Sequence, residues 1–194
     1  MYEFIKRLLD FLLSIIGLII LFPIFIIISI CIKIDDPGKI FFKQKRVGKN
    51  LKPFYIYKFR SMKTNTPDCP THLLKNPEQY ITKVGKFLRT TSLDELPQIL
   101  NILKGEMSIV GPRPCLFSQN DLIKERDKYG VNNIIPGLTG WAQINGRDEL
   151  PIKVKAKFDG EYVKKRSLFF DVKIFFLTIF KVLKKEGIQE GSNS

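Results

Sequence analysis

Histidine is almost absent from this chain, and its absence narrows the chemistry. His72 is the only one, and it lies in a proline-rich stretch. Histidine-based triads and multi-histidine metal sites are excluded. Cysteine is scarce too: Cys31, Cys69 and Cys115 form no zinc spacing and no CxxC pair. An odd count without a framework fits a reducing compartment. Acidic residues are in deficit, with 19 Asp and Glu against 32 Lys and Arg, a net charge of +13. That excess suits partners rich in phosphate: nucleic acid, anionic lipid or a nucleotide.

Charge is missing altogether from Phe11 to Ile32. As a helix this run would be roughly 33 Å long, enough to cross a bilayer core of roughly 30 Å. No small-x-small site follows it, so a cleaved signal peptide fits poorly. Pro23 near its middle removes a backbone donor and predicts a kink. Lys6 and Arg7 precede the run; Lys33, Lys39, Lys43, Lys45 and Arg46 follow it. Positive charge favours the cytoplasm for both flanks. A bent helix that enters one leaflet and returns satisfies both. A straight span with the N-terminus outside is the competing geometry.

The remainder is long enough to bury a core. Asp35-Asp36-Pro37-Gly38 reads as a turn closing the apolar run. Ile40 to Gln44 and Phe54 to Phe59 read as strands, joined near Gly48-Lys49-Asn50. Alternation places Lys58 and Arg60 on one face. Helices are predicted over Ile81 to Thr90, about Asp94 to Lys104 (closed by Gly105), Phe117 to Tyr129, Ile152 to Lys165 and Asp171 to Lys185. Met107 to Val110 reads as a buried strand, and Pro136 to Arg147 as a glycine-rich segment holding the only Trp, Trp141. The last helix is basic with a bulky apolar face, which suits a membrane interface or a core helix with one solvated side.

Two acids stand together in this basic background. Ser92-Leu93-Asp94-Glu95 matches the S-x-x-E capping pattern, so Asp94 and Glu95 could simply start a helix. Pro97 argues against Ser92 as the cap, because an α-helix begun there needs the amide that proline lacks. A start near Asp94 puts both acids at the positive end of a helix, where phosphate also binds. Phosphate beside carboxylates needs a metal or arginine to balance charge. Arg89, Arg113 and Arg147 are the candidate arginines, and Mg²⁺ is the expected metal, since it prefers one or two carboxylates plus substrate phosphates.

Several segments occur together in a recognisable order: Lys58-Phe59-Arg60-Ser61-Met62, Ser92-Leu93-Asp94-Glu95-Leu96-Pro97-Gln98, Leu103-Lys104-Gly105-Glu106-Met107-Ser108 and Val110-Gly111-Pro112-Arg113-Pro114. Pro136-Gly137-Leu138-Thr139-Gly140-Trp141-Ala142-Gln143-Ile144-Asn145-Gly146-Arg147 and Asp159-Gly160-Glu161-Tyr162-Val163 follow. This set resembles the bacterial sugar transferases, small monotopic phosphoglycosyl transferases acting on a polyprenol carrier. The resemblance covers nearly the whole chain.

The resemblance implies an α/β fold, rich in helix and poor in sheet. It implies a re-entrant membrane helix broken at Pro23 (residues 1–34), then a compact cytosolic catalytic domain (35–194) with interfacial amphipathic helices. It implies transfer of a sugar 1-phosphate from a UDP-sugar to undecaprenyl phosphate, releasing UMP, on the cytoplasmic face of the bacterial inner membrane. Nucleic acid is then not a partner, and a homodimer is compatible. Asp94 would be the nucleophile of a covalent, ping-pong route, with Glu95 helping to hold Mg²⁺ and Asp94 beside it. Arg113 is assigned by position to phosphate contact, with Arg89 and Arg147 as similar assignments. Lys58 and Arg60 would shape the nucleotide side or face headgroups, and Lys6-Arg7 would meet anionic lipid. The family's usual Ser-Pro break is replaced here by Phe22-Pro23. A non-enzymatic basic membrane protein is the alternative; it predicts that replacing Asp94 leaves function intact.

Overall fold

The computed structural model describes residues 1–67, 76–146 and 150–183. Its dominant element is α1, Tyr2–Asp35, a single helix with Pro23 inside it. The helix is long and apolar enough to cross a membrane, yet one stripe of it faces the rest of the chain. Arg7, Asp10, Ser14, Gly17, Phe25, Ile28, Ile32 and Asp35 all lie on that stripe, spaced by helical steps. The stripe keeps its phase past Pro23, so the proline does not divide α1 into two separate helices. The other faces are exposed and oily, including Ile19, Ile20, Phe22, Ile27 and Ile34.

Strands β1 (Phe41–Val47) and β2 (Pro53–Phe59) form an antiparallel hairpin in which Phe41 opposes Phe59 and Val47 opposes Pro53. A tight turn over Lys49–Leu51 joins them, close to where the Gly-Lys-Asn signal placed it. Helix α2 (Lys83–Thr90) starts at Thr82, whose hydroxyl accepts from the Gly85 amide. Helix α3 (Ile99–Lys104) ends on Gly105, whose φ of 81° fits glycine at a helix terminus. Helix α4 is Asn120–Asp127. Helices α6 (Ile152–Lys165) and α7 (Leu168–Leu183) complete the described chain.

Besides the undivided α1, where a break at Pro23 was expected, two parts of the fold differ from the sequence expectation. The helix predicted from Asp94 to Lys104 is two pieces: a 3₁₀ segment over Leu93–Gln98, then α3. Ser92 sits in the left-handed region at φ 58° and its side chain caps nothing, so no capping box forms. Pro97 cannot donate to an α-type ladder, and shorter bonds such as Glu95 N to Ser92 O (3.2 Å) take over. The glycine-rich segment contains regular structure: β4 (Gly137–Thr139) and the short α5 (Trp141–Ile144). β4 pairs in parallel with β3 (Ser108–Val110). Alternation of side chains is too short there to betray a strand, and three glycines obscure it.

Packing gathers these elements around the acid pair. Ile28 and Ile32 of α1 meet Phe59 and Leu88, with Leu93 and Leu96 against the cluster. Phe54 and Ile56 on the inner face of β2 meet Ile102 and Met107. The 93–98 segment is therefore wedged between α1, β2 and α2. Each fully buried aliphatic side chain there stabilises the fold by about 1.5–3 kcal/mol.

Candidate active site

The 93–98 segment presents Asp94 and Glu95 towards β2. Asp94 is buried, at 7% exposure. Lys58 continues the inward face of Phe54 and Ile56 and reaches both acids: its Nζ lies 3.3 Å from Asp94 Oδ2 and 2.8 Å from Glu95 Oε1. Arg113 approaches from the Gly-Pro-Arg-Pro turn after β3 and grips Glu95 through two guanidinium nitrogens. Two carboxylates and two cations thus form one formally neutral cluster from three separate stretches of sequence.

The cluster tunes its members in opposite directions. Burial pushes the Asp94 carboxyl above its ordinary value; Lys58 opposes this and the Glu95 charge reinforces it. Burial also acts upward on Glu95, but Arg113 and Lys58 outweigh it and hold that carboxyl well below its usual range. Adjacent acids with diverging proton affinity are the arrangement expected where one reacts and the other binds a charge.

Other residues singled out by sequence lie elsewhere. Arg60 is just past the end of β2 and pairs with Asp36, Nη1 to Oδ2 at 2.8 Å, also donating to the Asp36 carbonyl. The pairing ties the hairpin to the end of α1. Arg89 donates Nε to Ser61 Oγ at 2.8 Å, linking α2 to the residues after β2. Arg147 lies outside the described residues. Lys6 pairs with Asp171 of α7 at 2.8 Å, and Arg7 donates to the carbonyls of Ile102 and Leu103 at 2.5 and 2.8 Å. Both basic residues are thus engaged by protein groups, and Arg7 satisfies carbonyls at the end of α3.

Sequence reasoning missed Asn101. It is fully buried, accepts from the Tyr57 amide at 3.1 Å and donates to the Tyr55 carbonyl at 2.7 Å. One side chain thus supplies the missing neighbour of β2 beside Lys58. A polar residue in the middle of Ile99-Leu100-Asn101-Ile102-Leu103 was the available signal, since a buried amide needs partners.

Asp94 and Glu95 are the two adjacent carboxylates that could hold a divalent cation. Among the described residues no group of three or more His, Cys, Asp or Glu side chains converges on a metal position. Protein oxygens alone would leave such a metal under-coordinated. That donor set fits Mg²⁺ completed by water and substrate phosphate, and fits poorly an all-protein cage.

Residues 1–185 match the family model for bacterial sugar transferases. The chain is 46% identical over 191 residues to an uncharacterized sugar transferase, EpsL, of Bacillus subtilis (strain 168), covering 96% of this chain and 91% of that one. It is 42% identical to the UDP-glucose:undecaprenyl-phosphate glucose-1-phosphate transferase of Escherichia coli (strain K12), over 91% of this chain and 40% of that protein. It is 38% identical to a UDP-N-acetylgalactosamine-undecaprenyl-phosphate N-acetylgalactosaminephosphotransferase of Aeromonas hydrophila, over 96% of this chain and 45% of that protein. The chain therefore spans less than half the length of these last two relatives.

Proposed function

Because this chain belongs to the bacterial sugar transferase family, we propose that it moves a sugar 1-phosphate from a UDP-sugar to undecaprenyl phosphate and releases UMP. The observation that carries the reading is the neutral cluster of Asp94, Glu95, Lys58 and Arg113.

Asp94 is the nucleophile. One of its carboxylate oxygens attacks the sugar-bearing phosphorus, forming an acyl phosphate. The bond from that phosphorus to the bridging oxygen breaks, and UMP departs with that oxygen. A phosphate oxygen of the lipid then attacks the same phosphorus, and the Asp94 carboxylate leaves. A covalent relay divides one difficult displacement into two easier ones. Lys58 keeps Asp94 ionised against its burial and Arg113 fixes Glu95. As the anionic diphosphate enters, both cations are placed to stabilise charge on its oxygens. Glu95, with Asp94 beside it, would hold Mg²⁺, which when bound neutralises phosphoryl charge.

The helix α1 does not carry either flank to the far side of the bilayer; both ends stay with the catalytic body on the cytoplasmic face of the inner membrane. Contacts of α1 support this. Lys6 and Arg7 near one end and Asp35 at the other all bond to the same body, Asp35 accepting from the Val84 amide at 2.8 Å. A helix crossing to the far side would carry one of those ends away from it.

The test is UMP release from a panel of UDP-sugars, with undecaprenyl phosphate and Mg²⁺, for wild type and Asp94→Asn. One sugar should support release, Asp94→Asn should abolish it, and EDTA should stop it. Donor alone should add one phosphosugar mass to wild type and none to the variant. Release at the wild-type rate by Asp94→Asn would sink the mechanism.

A further inference from the structure

A second buried polar cluster lies away from the acid pair. Asp171 of α7 is 8% exposed. Its Oδ2 accepts from Lys6 Nζ and from the Tyr2 hydroxyl, each at 2.8 Å. Its Oδ1 lies 2.8 Å from the hydroxyl of Tyr162 on α6, itself 2% exposed. The same hydroxyl lies 3.1 Å from the carbonyl oxygen of Val110, the last residue of β3. Burial and the nearby Asp171 charge push the Tyr162 phenol far upward, so it stays a proton donor.

Val110 is three positions before Arg113, and little slack separates them. The Gly111 amide donates to Thr139 O at 2.8 Å, and the Gly137 amide donates to Pro112 O at 2.9 Å. Pro112 and Pro114 fix φ on either side of Arg113. The Pro114 carbonyl accepts from Arg46 at 3.2 Å. A lateral shift of β3 is thus carried to the guanidinium that grips Glu95.

We infer that Tyr162 is a positioning residue for Arg113, held in turn by Asp171 and, through it, by Lys6 and Tyr2 at the start of α1. The inference rests on the role proposed above for Arg113. The Tyr162 hydroxyl has one proton and three oxygens within reach: Asp171 Oδ1 at 2.8 Å, the Val110 carbonyl at 3.1 Å and the Tyr2 hydroxyl at 3.5 Å. Lys6 and Tyr2 hold Asp171 through Oδ2, and its Oδ1 in turn holds the Tyr162 hydroxyl beside the Val110 carbonyl. Loss of Lys6 loosens Asp171 and, with it, the hydroxyl that lies against the strand end. The start of α1 is in this way coupled to the turn that carries Arg113 through discrete hydrogen bonds.

A double-mutant cycle tests it, on the full-length protein in phospholipid nanodiscs. UMP release is followed at varied donor, using the best UDP-sugar of the panel. Tyr162→Phe keeps the ring and removes the hydroxyl. It should lower kcat/KM for the donor by about tenfold, within the range for a displaced catalytic group, and leave KM for undecaprenyl phosphate unchanged. In an Arg113→Met background the same change should alter kcat/KM by less than about twofold, since the group it acts through is gone. A full tenfold loss in that background would overturn the inference. Lys6→Met combined with Asp171→Asn removes the buried pair together and runs through the same cycle should Tyr162→Phe not fold. Arg113→Met at the wild-type rate would overturn the assignment of Arg113 and this inference with it; a severe Arg113→Met defect with additive Tyr162→Phe confines the failure to Tyr162.

Discussion

Arg113 meets Glu95 end-on, Nη1 to Oε2 at 3.1 Å and Nη2 to Oε1 at 2.5 Å. Parallel bonds of this kind fix orientation as well as charge, and a lysine offers only a point charge. The turn after β3 is thereby locked onto the segment that carries the proposed nucleophile.

Lys58 should set the acid limb of the pH–rate profile. Asp94 has to be ionised to attack, and its carboxyl is raised by burial, with Lys58 the largest opposing influence. Lys58→Met should move the acid limb of UMP release to higher pH, and Lys58→Arg should move it less. An unchanged limb in Lys58→Met would show that Asp94 does not govern that ionisation.

Glu95 should make stability depend on acid. Its folded value lies well below the ordinary 4.5, so its contribution is fully present above that pH and is lost as pH falls through the folded value. The melting temperature of wild type should exceed that of Glu95→Gln at pH 7, and the gap should close on acidification. Asp94, raised in the fold, contributes the opposite slope, so the comparison is made with Asp94 intact in both proteins.

Gly137→Ala should separate the β3–β4 pair. A Cβ at Gly137 would lie 2.1 Å from the Gly111 amide nitrogen, and backbone cannot yield as a flexible side chain can. Overpacking of this kind costs about 1–3 kcal/mol or more. Thermal melts should fall by several degrees, and UMP release should fall further because Arg113 follows the same strand.

Arg7→Met should loosen α3. Two carbonyls lose their charged donor, at about 1.5–3 kcal/mol for hydrogen bonds of that type. Arg7→Lys should recover only part of the loss, because one ammonium does not reproduce the fork. Equal melting temperatures for Arg7→Met and wild type would mean that water replaces the guanidinium.

Much of this was legible in sequence, for identifiable reasons. The β1–β2 hairpin announces itself by alternation around Gly48, and α6 has the predicted limits because Pro151 precedes it and its apolar period is regular. Lys58 was expected on the nucleotide side or against headgroups, and its place beside both acids follows from sharing the face of Phe54 and Ile56. Arg60, two residues later, was grouped with it by the same alternation, yet it lies beyond the strand, where Asp36 captures it. Lys6 and Arg7 read as headgroup cations because a flank of an apolar run usually is one; their partners, Asp171 and the end of α3, are far away in sequence. Asp94 and Glu95 matched a capping pattern that never forms. Local spacing cannot reveal that Lys58 and Arg113 claim the acids instead.

The bond between Lys6 and Asp171 also imposes an order on biosynthesis. The two residues are 165 positions apart. At about 5–20 residues per second, on the order of ten to thirty seconds pass between their emergence from the ribosome. Throughout that interval α1 has its oily faces to shelter and no finished body to lean on. The later chain therefore assembles against a helix made long before it. Closure of the described fold thus waits for α7 to reach back to α1, and a ribosome stalled before α7 would leave the Lys6 end of α1 without its partner.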